Sequence, residues 1–209
     1  MAVVEAMSDR FIPDVLADMS TLYPRVEFSV QTQDFKAIWH TVARNEVDFG
    51  ITLLSDEKTP RRVKVAATLH APIGFVVRPD HPIAQRQEIR LSQAAGNRFI
   101  FPDATLAVGA AIKEGLRAHQ ADIQASFTCN RIVSVKALVR SGLGIALLTQ
   151  ADVIDEEKSG ELCFVKIAQN DIRPLGFALI HNTQRQISAA SHSTLSLITK
   201  NFETLSLLG

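Results

Sequence analysis

The 209-residue sequence is poor in cysteine and has no surplus of either charge. Its two cysteines, Cys129 and Cys163, are too few for the disulfide framework of many secreted domains. We expect buried free thiols in a reducing compartment, with a redox-active pair as the minor alternative. Lysine plus arginine and aspartate plus glutamate both number 22, whereas a domain that binds nucleic acid by itself is usually basic, because phosphate contacts supply most of its affinity. Direct DNA binding by this chain is therefore not predicted.

Long hydrophobic runs are also missing from the sequence. No apolar stretch approaches the ~20 residues that a membrane-spanning helix needs. The first residues contain no basic region followed by an apolar stretch, so no signal peptide is predicted and the expected location is the cytoplasm. Because Met1 leads directly into strand-like residues 2–4, we expect the sequence to be a domain excised from a longer protein.

Spacings that are typical of catalytic and metal sites do not occur in the sequence. The six histidines are scattered, and neither the His-Glu-x-x-His nor the Cys-x-x-Cys spacing is present. There is no Gly-x-Ser-x-Gly nucleophile elbow. Residues 141–144 are glycine-rich, but a helical pattern precedes them and a strand pattern follows, the reverse of a dinucleotide-binding loop. We therefore expect no enzyme, no metal and no cofactor.

The residues that are present form a regular succession of strand and helix patterns. Apolar residues alternate or form short runs in the predicted strands, and they recur every third or fourth position in the predicted helices. A first set of elements covers residues 2–4, 11–22, 26–30, 35–42 and 47–51. A second set covers residues 99–101, 105–119, 123–127, 132–139 and 145–148. This order predicts an α/β fold with right-handed crossovers and mostly parallel sheets, arranged as two lobes with a cleft.

Polar residues stand at four predicted helix starts: Ser8, Asp34 with Thr32 just before it, Thr105, and Asn130. In an open α/β sheet, ligands bind beyond the carboxyl ends of the strands, where helix N-termini favour an anion. We therefore expect Ser8, Thr32, Thr105 and Asn130 to face one cleft and to bind a small ligand that has a carboxylate. The alternative is that each residue only caps its helix, which stabilises a helix by about 1 kcal/mol without any ligand.

Two acidic residues near the expected cleft favour a second kind of ligand. If Glu5 and Asp34 reach the cleft, their carboxylates would attract a cationic group, as in an amine or an amino acid. The alternative for Glu5 is a strand residue at a solvent-exposed edge. The effector is therefore expected to be a carboxylate or an amino-acid-like molecule.

Four segments resemble the effector-binding domain of LysR-type transcriptional regulators. Each motif is weak by itself, but their order and spacing together are specific. The first segment, FIPDVLADMSTLYPRVEFSV (residues 11–30), resembles the first helix and second strand of that family. The others are similar to its Gly-Glu-Leu-Asp-Leu-Ala-Ile, Pro-x-His-Pro-Leu-Ala and Val-x-x-Gly-x-Gly-Ile-x-x-Leu-Pro motifs: NEVDFGI (45–51), VVRPDHPIA (76–84) and VKALVRSGLGIALLTQADV (135–153).

The resemblance implies two Rossmann-like lobes joined by two crossover strands, as in type 2 periplasmic binding proteins. Lobe I would comprise residues 1–75 and 178–209, and lobe II residues 76–177. Met7, next to Ser8, and Phe177, in the second crossover, are included in the expected ligand site. The effector would bind between the lobes and change their relative angle.

The resemblance also implies partners for the domain. An N-terminal winged helix-turn-helix domain, missing from this chain, would bind DNA in the full-length protein. The sensing domains would pair as dimers, and the full-length protein would form tetramers. Residues 9–21 and 26–30 of one copy would meet residues 110–119 and 123–127 of the other. A stand-alone solute-binding protein of the same fold remains an alternative, and an enzyme on this scaffold is a weaker one.

Overall fold

The computed structural model describes residues 1–9, 11–54, 59–118, 123–168 and 172–206. Its strands are β1 (Ala2–Val3), β2 (Gln31–Thr32), β3 (Phe49–Leu53), β4 (Val63–Ala71), β5 (Ile73–Val77), β6 (Glu88–Ile89), β7 (Phe99–Pro102), β8 (Ala125–Cys129), β9 (Ile145–Thr149), β10 (Cys163–Ile167) and β11 (Leu175–Asn182). Its α-helices are α1 (Glu5–Ser8), α2 (Phe11–Leu22), α3 (Phe35–Ala43), α4 (Leu91–Ala94), α5 (Ala107–Ala118), α6 (Ile132–Arg140), α7 (Ile154–Ser159) and α8 (Ala189–Ser206). Short 3-10 helices span Pro82–Gln85 and Gln150–Val153.

The first of two compact units comprises residues 1–70 and 176–209. Its sheet has the strand order β2-β1-β3-β11-β4, in which β1 runs parallel to β2 and β3, and β11 runs antiparallel to β3. Every residue of β3 is buried, as expected for a strand that is covered on both faces. Helix α3 packs against β1 and β3, and helices α2 and α8 pack against each other.

The second unit comprises residues 71–175. Its sheet has the strand order β6-β10-β5-β9-β7-β8. The neighbours β7, β8 and β9 are parallel, whereas β5 is antiparallel to both β9 and β10. Strands β5 and β9 are buried along their whole length, and helices α5 and α6 pack on this sheet. The parallel strands bring the chain segments that follow β7 and β8 to the same edge of the sheet.

The residue boundaries of these units differ slightly from those of the two lobes that the sequence suggested. Strand β5 pairs with β9 and β10 from Ile73 onward, so it belongs to the second unit from its first residue. Phe177 pairs with Leu53 of β3 and belongs to the first unit.

The prediction of a strand over residues 26–30 is wrong. The hydrogen-bonded strand at this place is β2, whose first residue, Gln31, pairs with Ala2. None of the strands among the described residues pairs with residues 26–30. Side chains in this segment are mostly exposed.

Three short helices, α1, α4 and α7, were not predicted from the sequence. Helix α7 has three acidic residues in its first turn and ends at Gly160, whose φ of 76° is the left-handed conformation typical of a helix end. Among the described residues, no helix is both long enough and apolar enough to cross a membrane.

Candidate functional site

The first unit places Ser8 and Thr32 near the ends of its parallel strands β1 and β2. Thr32 pairs with Val3, the last residue of β1, and its side chain is exposed. Ser8 is the last residue of α1, and its hydroxyl lies 2.8 Å from the carbonyl oxygen of Glu5 and 3.1 Å from the carboxylate of Asp9. The Ser8 hydroxyl is therefore engaged with its own segment, whereas Thr32 is accessible.

Helix α3 begins at the same edge and is capped by a carboxylate. Asp34 is the N-cap residue, and its Oδ1 accepts a hydrogen bond of 2.8 Å from the backbone N–H of Lys36. This confirms Asp34 as a helix cap. The capping carboxylate is exposed, so it adds negative charge to this edge of the first unit.

Met7 and Phe177 occupy the core of the first unit. Their exposed fractions are 1% and 0%. Because a side chain that contacts a ligand must present some surface to it, these two residues would need to repack before they could touch an effector. Their part in the ligand site stays a prediction.

The second unit brings Thr105 and Asn130 to one edge of its sheet, because they follow the parallel neighbours β7 and β8. The backbone N–H of Asp103 donates to the carbonyl of Cys129 at 2.7 Å, which ties the two segments together. The Asp103 carboxylate accepts from the backbone N–H of Thr105 at 2.9 Å. This hydrogen bond, with a second one from the Thr105 hydroxyl, holds the pKa of Asp103 below its ordinary value.

The sequence predicted that Asn130 caps helix α6, but this prediction is wrong. Its N-cap residue is Arg131, whose backbone is extended and whose side chain makes no capping hydrogen bond. A guanidinium has only donors, so it cannot accept from the first N–H groups of a helix. Asn130 lies one residue earlier, exposed to solvent.

The start of α6 therefore combines two features that favour an anion. The first N–H groups of the helix, from Ile132 onward, receive no acceptor from the cap side chain. The helix dipole and the Arg131 guanidinium both place positive charge at this point. Arg131 is not among the site residues predicted from the sequence, although the apolar helical pattern begins at Ile132 and Arg131 stands directly before it.

The described residues contain no cluster of three or more histidine, cysteine, aspartate or glutamate side chains that could hold a metal ion. Cys129 and Cys163 are free and partly buried. Burial, together with the nearby Glu157, raises the pKa of the Cys163 thiol, which disfavours the reactive thiolate.

Comparison with known proteins identifies relatives of the whole chain. A family model described as the LysR substrate binding domain matches residues 1–203, which confirms the resemblance found in the sequence motifs. The HTH-type transcriptional regulator YtlI of Bacillus subtilis is 20% identical over 208 residues, covering 97% of this chain and 65% of that protein. The chain thus spans less than two thirds of the length of this relative.

Solved structures of similar fold cover both units. The regulatory domain of CcmR from Synechocystis PCC6803, in complex with 2-PG, is 24% identical with a TM-score of 0.77, and the match covers 96% of each chain. The effector binding domain of QuiR, in complex with shikimate, is 16% identical with a TM-score of 0.75, covering 97% of this chain and 95% of that one. These likenesses confirm the predicted periplasmic-binding-protein-like α/β fold.

Proposed function

Because the chain belongs to the LysR substrate-binding domain family, we propose that it is the effector-sensing domain of a transcriptional regulator and catalyses no reaction. The observation that carries this proposal is the start of α6, where Arg131 leaves the first turn without a side-chain acceptor. A helix of nine residues whose N-terminus is uncapped and adjacent to a guanidinium is suited to bind an anionic group. Asn130, exposed beside it, adds an amide donor and acceptor.

The first unit supports a more specific effector class. Its corresponding helix, α3, has a capping carboxylate in place of an open N-terminus. That edge therefore attracts cations and repels anions, because the Asp34 carboxylate is exposed and charged. We propose an amino-acid-like effector, which carries a carboxylate suited to the start of α6 and an ammonium group that exposed carboxylates attract.

The names of similar structures support a small-molecule effector in general. The CcmR and QuiR domains are described as complexes with 2-PG and shikimate, respectively. Neither name identifies the effector of this chain, because both domains are less than 25% identical to it.

A thermal-shift screen tests this proposal with three matched sets of compounds. The sets are amino acids, the same carboxylic acids without the amine, and the same amines without the carboxylate. A ligand present at 100 times its dissociation constant should add about 2.7 kcal/mol to the free energy of unfolding. We expect stabilisation by members of the first set. If only the amines stabilise the protein, the assignment of an anion site at α6 is contradicted, and if no compound does, small-molecule sensing of this class is contradicted.

The full-length protein would supply the remaining parts of the regulator. We propose that a winged helix-turn-helix domain binds DNA and that sensing domains pair as dimers, within tetramers of the full-length protein. Exposed apolar side chains in the first unit support pairing, since Leu22, Val26 and Val30 are 66%, 41% and 37% exposed. These residues lie on or next to the segments that pair in the family.

A further inference from the structure

The second unit contains a cavity of about 440 Å³ at the end of its sheet opposite Thr105 and Asn130. Strand β5 ends here, and strands β7 and β9 begin here, side by side from Phe99 and Ile145. The sheet thus brings together residues that are distant in sequence. The lining includes Arg78, Asp80, His81, Asn97, Arg98 and the turn over residues 142–144.

Arg78 is held in this cavity by a bidentate hydrogen-bonded ion pair with Asp80. Its Nε and one Nη donate to the two oxygens of that carboxylate at 2.9 and 2.7 Å. These bonds hold the pKa of Asp80 below its ordinary value, so the carboxylate stays charged and keeps the guanidinium in place. The other amino group, Nη1, makes no hydrogen bond to the protein in the part of the chain that the structure describes, so its two N–H groups can serve a ligand.

The turn after α6 leaves room beside this amino group. Gly142 has a φ of +72°, and a Cβ at this position would lie 3.1 Å from Nη1 of Arg78. Two residues later, a Cβ at Gly144 would lie 2.4 Å from the carbonyl oxygen of Arg98. Any side chain at these two positions would therefore narrow the cavity or push its wall away.

His81 and Asn97 form a second side of the cavity. His81 Nδ1 accepts from the backbone N–H of Ile83 at 3.2 Å, and its Nε2 lies 3.2 Å from Asn97 Oδ1. The Asn97 amide nitrogen donates to the carbonyl of Ala94 at 2.9 Å, which uses one of its two N–H groups.

The cavity lining therefore has one donor group that the described residues do not satisfy. The two oxygens of Asp80 are already bonded to Nε and one Nη of Arg78, and Nη1 of Arg78 lies beside the turn at Gly142. The guanidinium of Arg98 lies over the ring of Phe127, 5.1 Å from its centroid, and Phe127 does not line the cavity.

We infer that this cavity binds a small anion through carboxylate or phosphate oxygens, with Nη1 of Arg78 as the main donor. The site is separate from Thr105 and Asn130, the proposed effector residues of this unit, which lie at the other end of the sheet. The two sites share one helix, because α6 begins next to Asn130 and ends at the turn that lines the cavity.

Nuclear magnetic resonance titration of the 209-residue chain tests this inference. Sodium phosphate, sodium acetate and sodium chloride are added separately at constant ionic strength, and the backbone signals of Gly142 and Gly144 and the side-chain amide of Asn97 are followed. We expect saturable shifts with phosphate or acetate and none with chloride. The anion that binds more tightly, phosphate or acetate, indicates whether the cavity prefers phosphate or carboxylate oxygens.

Three variants separate specific binding from general charge effects. Arg78→Ala should weaken anion binding about ten-fold or more, because it removes a charge-assisted hydrogen bond. Asp80→Asn should strengthen binding, because it removes the competing negative charge but keeps an acceptor for Nε. Arg44→Ala is the matched control, since Arg44 forms a similar exposed pair with Glu46 at 2.7 Å in the first unit, and it should leave the affinity unchanged.

Equal losses of anion affinity in Arg78→Ala and Arg44→Ala would overturn the inference. Chloride-induced signal shifts as large as those with phosphate or acetate would also overturn it. Weaker binding by Asp80→Asn would also contradict it. If Arg78→Ala does not fold, the sign of the effect of Asp80→Asn decides the question alone.

Discussion

Helices α3 and α6 are both nine residues long, and each follows a strand of its own unit, yet their first turns are satisfied differently. Asp34 caps α3 with a carboxylate that accepts from Lys36, whereas Arg131 precedes α6 and has no acceptor to offer. The cap at α3 satisfies one of the free backbone donors of the first turn and brings a negative charge, which disfavours an anionic ligand there. An uncapped start with a neighbouring guanidinium is less stable alone and gains from binding an anion. The comparison shows which of the two helix starts favours an anion.

Replacing Arg131 with aspartate gives α6 the kind of cap that α3 has. We expect the Arg131→Asp variant to bind its effector about 100-fold more weakly, since a charge-assisted contact is replaced by repulsion. The change in its free energy of unfolding should be small, because the new carboxylate can accept from the first turn and so offsets the loss of the interactions that Arg131 makes. Isothermal titration calorimetry and urea denaturation measure the two quantities. Unchanged effector affinity would show that the start of α6 does not bind the effector and that the two helices do not differ in this function.

The units also differ in their exposed apolar side chains. In the first unit three of them, including Leu22, fall within residues 22–30, whereas the two in the second unit, Val133 and Leu143, are apart. If residues 22–30 form the pairing surface, the Leu22→Glu variant should raise the dissociation constant of the dimer about ten-fold or more, because it removes apolar burial and adds a charge.

Sedimentation velocity measures this dissociation constant. Leu143→Glu is the matched control, because it introduces the same charge at an exposed leucine outside the expected surface. A dimer that resists Leu22→Glu but dissociates with Leu143→Glu would move the pairing surface to the second unit.

The residues before the two helices should respond differently to alanine. Asp34→Ala should lower the free energy of unfolding by about 1 kcal/mol, because it removes a helix cap. Asn130→Ala should change it by less than about 0.5 kcal/mol, since an exposed residue that caps nothing contributes little to stability, but it should weaken effector binding. Asp34→Asn, which keeps an acceptor, is the control for the first variant. Equal stability losses at both positions would show that Asn130 has a structural role like that of Asp34.

The smallest expected effect concerns the pH dependence of stability in the second unit. The folded-state pKa of Asp103 lies below its unfolded value of about 4, so its stabilising contribution is fully present above that pH and is lost as the pH falls through the folded-state value. Asp103→Asn should therefore be slightly less stable than the parent protein at pH 7, and the difference should disappear at low pH. Denaturation curves at several pH values measure it. A difference that grows on acidification would contradict this assignment.

Much of the fold could be predicted from the sequence, because its signals are local and repeated. The buried strands β3, β5 and β9 are mostly apolar, and helices α3 and α6 show clear helical spacing. The strand expected at residues 26–30 failed because pairing depends on register with β1, which no local pattern specifies. The short helices α1, α4 and α7 have too few residues for a period to be recognised.

The candidate site was harder to predict, because single residues decide it. A one-residue difference in the start of α6 makes Arg131 the N-cap residue in place of Asn130, and an arginine side chain cannot cap the helix as an asparagine can. Asp103 lies in the turn after β7 and was not recognised, although it accepts hydrogen bonds from Thr105. Met7 and Phe177 carry no sequence signal for burial in the core as opposed to a ligand surface.

The backbone amides at the start of α6 provide the most direct test of the main claim. The chain is titrated with the amino acid that stabilises it most in the thermal-shift screen, and the amide signals of Ile132, Val133 and Lys36 are followed by nuclear magnetic resonance. We predict large saturable shifts of Ile132 and Val133, because their N–H groups would bond the effector carboxylate, and a smaller shift of Lys36, whose N–H is already bonded to Asp34. A large shift of Lys36 with no change at Ile132 and Val133 would contradict the account.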